Sequence, residues 1–373
     1  MKFFEIFNFQ NKSHIKAGDG QKEGLYPFFT SSPILSKYLN TFQLEEDSLI
    51  FGTGGGASVH YCRQPFSVST DCLVAQIKDE QAGNFDIKYV YYYLSGNIRL
   101  LEDGFRGAGL KHVSKGYIND IEIPVVGLAQ QKRIVAILDR ADAVRQKRKV
   151  SARLMDDYLR ATFLTMFSDD STLEQVMLGS LSDTKKGSMR TGPFGSDLKH
   201  SEFVESGVAV LGIDNAVKNK FSWDKRRFIS PEKYERLKRY TIFPRDVIVT
   251  IMGTTGRSAV IPDDIPLAIN TKHLAAITFD ETKANPYFMC YSLQADPRIM
   301  RQIQQRSKGA IMDGLNLTII KSLEFSVWPI ELQNKFEVIY HRVQNLKQSM
   351  LKQSDELDNQ FQSLLQNSFS GKI

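Results

Sequence analysis

Cysteine is scarce in this chain. The three present among 373 residues, Cys62, Cys72 and Cys290, are too few and too scattered for a disulfide framework, and none forms a metal-type pair. Long apolar runs are missing too. No uninterrupted stretch reaches membrane-spanning length, and the mixed residues after Met1 do not read as a signal peptide. A cytoplasmic protein without membrane contact is the expectation. The six histidines are dispersed, and "HYC" (60–62) reads as strand rather than metal site. There is no P-loop lysine signature, no Gly-x-Ser-x-Gly elbow and no carboxylate pair at catalytic spacing. Neither a catalytic residue nor a metal ligand is expected.

What is present suits ordinary globular cores: 42% of residues are hydrophobic, and the length suggests two or three domains. The net charge of +6 and pI near 9.0 favour a polyanionic partner, although a merely soluble surface explains them equally well.

The stretch "LIFGTGGGAS" (49–58) resembles the glycine turn of a nucleotide-binding enzyme, but it has a twin. Displaced by 201 positions, Gly52 meets Gly253, Thr53 meets Thr254 and Gly55 meets Gly256. Pro65/Pro266, Thr70/Thr271, Leu73/Leu274, Ala75/Ala276 and Asp79/Asp280 continue the match without a gap. One further residue of shift sets "IEIPVV" (121–126) over "LEFSVW" (323–328) and Gln131 over Gln333. The chain is two copies of one unit, and two copies suggest two similar half-sites on a partner. Each globular part combines short β-branched runs, bounded by Gly, Pro and Asp, with one helix, "KYVYYYLSGNIRLL" or "PYFMCYSLQADPRIMRQI". Tyr91, Tyr92 and Tyr93 read as helix packing rather than base stacking. The fold class is α+β.

Each copy ends in a helix of about forty residues without Gly or Pro. In the second, Phe336, Val343, Met350, Leu357 and Leu364 recur every seven residues, with Ile339 and Leu346 in the alternate seam. The first has Ile134, Ala141, Met155 and Ile137, Val144, Tyr158 in the same phase, interrupted by Arg148. Heptads of this length argue a coiled coil, each helix spanning about 60 Å; antiparallel pairing of the two would then hold the globular parts apart. The alternative is helices folded back on their own domains. "RQKRK" (145–149), with Arg145, Lys147 and Arg148, is a solvated face or a partner surface.

A methyltransferase is the rival reading. Its cofactor turn must open a helix, whereas Gly56 is followed by "ASVHYCRQPFSVST", which is β-like and broken by Pro65. "NPYF" (285–288) lacks the second proline of the amino-methylating motif and starts a helical stretch.

The chain resembles the specificity subunits of type I restriction–modification systems from end to end. The residues that carry this are "IEIPVVGLAQQKRIVAILDRADAVRQKRK" (121–149), "GPFGSDLKHSEFVESGVAVLGIDN" (192–215) and the tandem domain–helix repeat. The resemblance implies a non-catalytic subunit with two target recognition domains, at 1–126 and 169–328. Spacer helices at 127–168 and 329–373 would separate them, with a pseudo-two-fold internal repeat. It implies double-stranded DNA with a bipartite target, two modification (methyltransferase) subunits and restriction subunits as partners. S-adenosylmethionine and ATP would sit on those partners, and this chain would hold no cofactor. A two-headed protein–protein adaptor is the alternative from another class. "GPFGS" has no evident counterpart upstream of Gly52, where "GLYPFFTSS" (24–32) stands, so the two domains are expected to read unlike half-sites.

Base edges are read by donors and acceptors on anchored loops, while Lys and Arg hold phosphates. In the first unit this selects Thr30, Ser31, Ser32, Thr53, Gly54, Gly55, Ser69, Asp71, Arg106, Lys111 and His112 for DNA binding. In the second it selects Arg190, Asn215, Thr254, Thr255, Arg257, Lys272, His273 and Lys308. "WDKRRF" (223–228) is a further phosphate patch or a solvated strand.

Overall fold

The computed structural model describes residues 1–107, 109–168, 172–307 and 314–370. They form two compact units, Met1–Ser151 with Met350–Ile373, and Ala152–Ser349. Each unit holds an α+β body and a stretch of both long helices, Leu128–Met166 and Ile330–Phe369.

The first unit contains strands β1 (Phe7–Phe9), β2 (Tyr26–Phe29), β3 (Tyr38–Leu39), β4 (Ser48–Gly52), β5 (Ser58–Cys62), β6 (Ser67–Val68) and β7 (Cys72–Ile77). An antiparallel sheet runs β1-β7-β4-β5, and a smaller sheet runs β3-β2-β6 with β2 and β6 parallel. The larger sheet and the helix Ile87–Gly96 enclose a core of Phe51, Tyr89 and Leu94, completed by Leu138 and Phe361 of the two long helices. Each such apolar side chain contributes about 1.5–3 kcal/mol on burial.

In the second unit the strands are β8 (Gln175–Met177), β9 (Met189–Thr191), β10 (Val208–Leu211), β11 (Phe228–Ile229), β12 (Thr241–Ile242), β13 (Val247–Thr250), β14 (Ser258–Val260), β15 (Ala268–Asn270), β16 (Leu274–Ile277) and β17 (Glu324–Ser326). The sheet β14-β13-β16-β9 repeats β5-β4-β7-β1, and the parallel pair β10/β15 repeats β2/β6. Ladder register extends the repeat upstream of what the sequence shows. Phe9 stands opposite Ala75 as Arg190 stands opposite Ala276, and Phe28 faces Ser67 as Ala209 faces Ala268. "GPFGS" therefore does have a structural counterpart, the segment that follows β1. The second unit is longer between β10 and β13, where the helix Pro231–Leu237 is inserted; β11 beside β10 repeats β3 beside β2, and β12 beside β15 falls where Leu44 bridges Phe66. The register also corrects the gapless match: Phe51 and Thr250, opposite Leu73 and Leu274, are equivalent, a slip of two residues that keeps every side chain on its face.

The helix pairing is antiparallel in both units. Arg145 Nε donates to Asp358 Oδ1 at 2.6 Å in the first, and Lys347 Nζ to Asp156 at 2.6 Å in the second. The two pairs are equivalent positions of the repeat. Phe336 and Val343 are buried as the heptad requires, but the alternate seam is corrected by one residue. It runs through Gln131, Leu138, Arg145, Ala152 and Leu159, and through Gln333, Tyr340, Lys347, Ser354 and Phe361. Val144 and Leu346 are about half exposed, at 50% and 49%. A period of 3.6 falls between steps of three and four, and here packing takes the step of four.

The helix starts are anchored identically. Gln131 Oε1 accepts from Asp86 N–H while Nε2 donates to the Asn84 and Val126 carbonyls. Gln333 does the same with Asn285, Lys283 and Trp328. Asp86 and Asn285 also cap the short helices, so "NPYF" is a helix start: Asn285 Oδ1 accepts from Tyr287 and Phe288 N–H.

Candidate nucleic-acid interface

The glycine turn is the tip of a β-hairpin. Gly52 faces Ser58 across β4 and β5, and no helix follows, so the turn lacks the amide crown a phosphate cradle needs. A Cβ on Gly52 would lie 2.3 Å from Ser58 Oγ and 2.9 Å from Ser31 Cα; this glycine makes room for the chain's own loop. Gly55, with φ +81°, and Gly56 face open space.

Three other loops meet this tip. Thr53 N–H and Oγ1–H both donate to the Asp71 carbonyl at 2.9 Å, and Ser31 Oγ–H reaches the same oxygen at 3.4 Å. The Thr53 carbonyl lies 3.1 Å from His112 Nδ1, and His112 exchanges both backbone hydrogen bonds with Arg106. Thr30 Oγ1 accepts from Ser32 N–H, and the Ser32 carbonyl accepts from His60 Nε2. Burial pushes the His60 imidazole below its ordinary value, favouring the neutral ring that donates here. Asp71, Arg106, Lys111 and His112 are exposed, while Thr30, Ser31, Ser32, Thr53 and Gly54 are half-buried. Sequence alone separates these residues by up to eighty positions; the fold gathers them. Ser69 is a correction: its side chain is fully buried and accepts from Asp71 N–H, so it shapes the loop rather than facing a ligand.

The second hairpin tip is built differently. Gly253 and Gly256 take φ +76° and +83°, Thr250 Oγ1 donates to the Thr254 carbonyl and accepts from Arg257 N–H at 2.9 Å. Thr254, Arg257 and Lys272 are exposed, Thr255 and His273 half-buried. Burial and the neighbouring Lys272 charge hold His273 below its usual value. Lys308 lies outside the described residues.

Three more expectations are corrected. Arg190 is buried: it pairs with Asp246, donates to the Thr241 carbonyl at 2.8 Å and stacks over Phe243. Asn215 is fully buried; its Oδ1 accepts from Gly212 N–H and its Nδ2 donates to the Ser222 carbonyl. Arg145 bonds Asp142 and Asp358 and stacks 4.1 Å from the Phe361 ring, so it belongs to the helix seam rather than to a partner surface. Lys147 is exposed and Arg148 half-buried.

One polar pair was missed. Arg227 Nη2 donates to Asp214 Oδ1 at 2.6 Å in a cleft of about 510 Å³, beside His200, Thr271 and His273. Both residues stand inside stretches singled out in the sequence, "GIDN" and "WDKRRF", but nothing in their spacing brings them together. All three cysteines are buried, and burial pushes the Cys72 and Cys290 thiols up to about 11 and about 12, so neither is a nucleophile at neutral pH. Among the described residues no three His, Cys, Asp or Glu side chains are placed to hold a metal ion, and no helix is long and apolar enough to cross a membrane.

The family model of the type I restriction modification DNA specificity domain matches residues 1–153. The type I restriction enzyme MjaVIII specificity subunit of Methanocaldococcus jannaschii is 20% identical over 377 residues, covering 95% of this chain and 88% of that one. The EcoBI specificity subunit of Escherichia coli is 20% identical over 363 residues, covering 88% and 74%. Two solved structures share the fold. The S subunit of a type I restriction–modification system from M. genitalium superposes with TM-score 0.60 at 17% identity, covering 99% of this chain and 95% of that chain. A chain from a type I R-M system studied for complex assembly and conformational transition gives 0.58 at 14%, covering 99% and 98%.

Proposed function

We infer that this chain is a DNA specificity subunit of a type I restriction–modification system, a reading supported by the family model over residues 1–153 and by relatives 20% identical along most of its length. Each unit reads one half of a bipartite duplex target. The observation that carries this is the repetition of one strand scaffold with unlike polar loops at its hairpin tips. In the first unit Thr53, Ser31 and Asp71 offer hydroxyls and a carboxylate for base edges, and Arg106 and Lys111 hold phosphates. In the second, Thr254 and Thr255 are the corresponding readers, with Arg257 and Lys272 on the backbone. Division of labour between phosphate and base contacts sets register first and sequence second.

The chain itself is non-catalytic. Two modification subunits dock on the helices, one per repeat; the half-exposed Val144 and Leu346, equivalent in the two copies, fit such paired docking. S-adenosylmethionine and ATP belong to the modification and restriction subunits. Half-sites would lie at least one DNA turn apart, roughly 34–36 Å centre to centre.

The test is binding of the assembled complex to duplexes in which either half-site or the central bases are randomised. Randomising a half-site is expected to reduce affinity to the non-specific level, and randomising the centre to leave it nearly unchanged. A large loss from the centre, or equal binding to all duplexes, overturns the reading.

A further inference from the structure

The loop after β10 and the residue before β11 line a cleft at the ends of β10 and β15. Arg227 and Asp214 lie in its wall, each side chain a little over one-quarter exposed. The guanidinium is held from one side only: Nη2 meets Asp214 Oδ1 at 2.6 Å and Asn215 Oδ1 at 3.5 Å. Asn215 in turn is fixed by Gly212 N–H and the Ser222 carbonyl, at 2.8 and 2.6 Å. Among the described residues, three atoms of this cleft are buried without a hydrogen-bond partner: Arg227 Nε, Asp214 Oδ2 and Thr271 Oγ1. Buried polar atoms are nearly always satisfied, and each exception asks for a ligand, a water or a strain. Here donor, acceptor and hydroxyl stand together in the wall of one cleft.

The backbone is shaped for the pair. A Cβ at position 212 would lie 2.7 Å from Arg227 Nη2 and 3.0 Å from Asp214 Oδ1, so a side chain here would push the tips of the pair aside. A Cβ on Gly192 would meet the Asn270 carbonyl at 2.3 Å, which lets the "GPFGS" loop close against the strand end that carries Thr271. Gly192 and Gly212, two of the four glycines of the singled-out motif, therefore serve this cleft.

We propose that Arg227, positioned by Asn215 and paired with Asp214, reads a G·C base pair in the half-site of the second unit. In the major groove guanine offers two acceptors, O6 and N7, and its partner cytosine offers the N4 amino donor. Arginine matches the first, with Asp214 Oδ1 fixing the orientation of the guanidinium. An A·T pair in the same place would set adenine's amino group or the thymine methyl against the guanidinium. The exposed Lys272 at the cleft's rim supplies a phosphate contact. This inference rests on the reading of duplex DNA proposed above.

The experiment uses the complex assembled with its modification subunits. A panel of target duplexes replaces each guanine in turn by 7-deazaguanine, which removes N7 alone. The wild-type complex is expected to lose affinity about ten- to a hundred-fold at one guanine of the second half-site. In Arg227→Ala that position loses its sensitivity, and mapping of modified bases shows it degenerate while the other half-site is unchanged. If no guanine of the second half-site responds in the wild type, the inference falls even should Arg227→Ala fail to fold. If the wild type binds no sequence selectively, the DNA-reading premise itself falls, and the two failures are distinct.

Discussion

Arg190 shows how far a residue's sequence neighbourhood can mislead. It stands two positions before "GPFGS", where a phosphate contact is the natural expectation, yet strand β9 turns it inward onto Asp246. Asp246 also accepts from Thr278 Oγ1–H and Phe243 N–H, so the pair is a closed, buried network. Replacing Arg190 by Met leaves an uncompensated buried carboxylate, and a loss of about 3–5 kcal/mol in unfolding free energy is expected. Chemical denaturation checks this, with Arg190→Met/Asp246→Asn expected to recover part of the loss. Thr53, Ser31 and Asp71 were legible as loop residues because short polar side chains beside glycine favour turns. Arg227 was not, because its role depends on Asp214, thirteen positions earlier, and on a glycine that leaves both side chains space.

At the scale of elements, the two long helices and their heptads follow directly from the periodicity of the sequence. The seam does not follow so simply: Ile137 and Ile339 sit three residues after their heptad partners, and Leu138 and Tyr340, four after, take the interface. Apolar character at adjacent positions leaves the choice to packing. A further clue is the small residue in each seam, Ala152 or Ser354, both buried. Ser354→Leu should overpack the crossing and cost about 1–3 kcal/mol, read as a lower denaturation midpoint. Gln131→Ala strips partners from the Asp86 N–H and the Asn84 and Val126 carbonyls, with an expected cost of about 1–3 kcal/mol. The seam also responds to acid. Burial opposes the charge on Asp358, but hydrogen bonds and charge from Arg145 and Lys149 outweigh it and hold the carboxyl below its usual value. A depressed folded value means its stabilisation is present above the unfolded pKa of about 3.9 and fades as pH falls through the lower folded value. Denaturation midpoints of wild type and Asp358→Asn should therefore differ at pH 6 and converge toward pH 3.

At the scale of the whole molecule, the repeat governs the design. One ladder pattern serves both units, and the helix Pro231–Leu237 is added to the second without disturbing the strands around it. Long surface insertions are tolerated because loop-closure entropy grows slowly with length. That leaves two similar scaffolds free to diverge in their loops. Phosphate contacts from both units should make affinity fall steeply with salt, the logarithmic slope being about −0.9 per neutralised phosphate. Arg106→Ala and Lys272→Ala are each expected to flatten that slope by about 1, with sequence preference retained; titration of binding against salt measures both. A protein–protein adaptor would show no such slope.

By itself the sequence determined the duplication, the α+β bodies, the paired helices and the failure of the cofactor turn. All of these rest on local pattern: identity at a fixed displacement, seven-residue spacing, and β-branched residues where a helix would have to begin. Tertiary structure alone decided which polar residues face outward. Ser69, Arg190 and Asn215 carry the same chemistry as their exposed neighbours, but strand pairing turns them into the interior, where they hold loops rather than ligands. It also decided that Arg227 and Asp214 meet, and that the upstream halves of the two units match despite unlike sequences. Register is set by backbone hydrogen bonds that any side chain permits, so a shared ladder can outlast the residues that once revealed it.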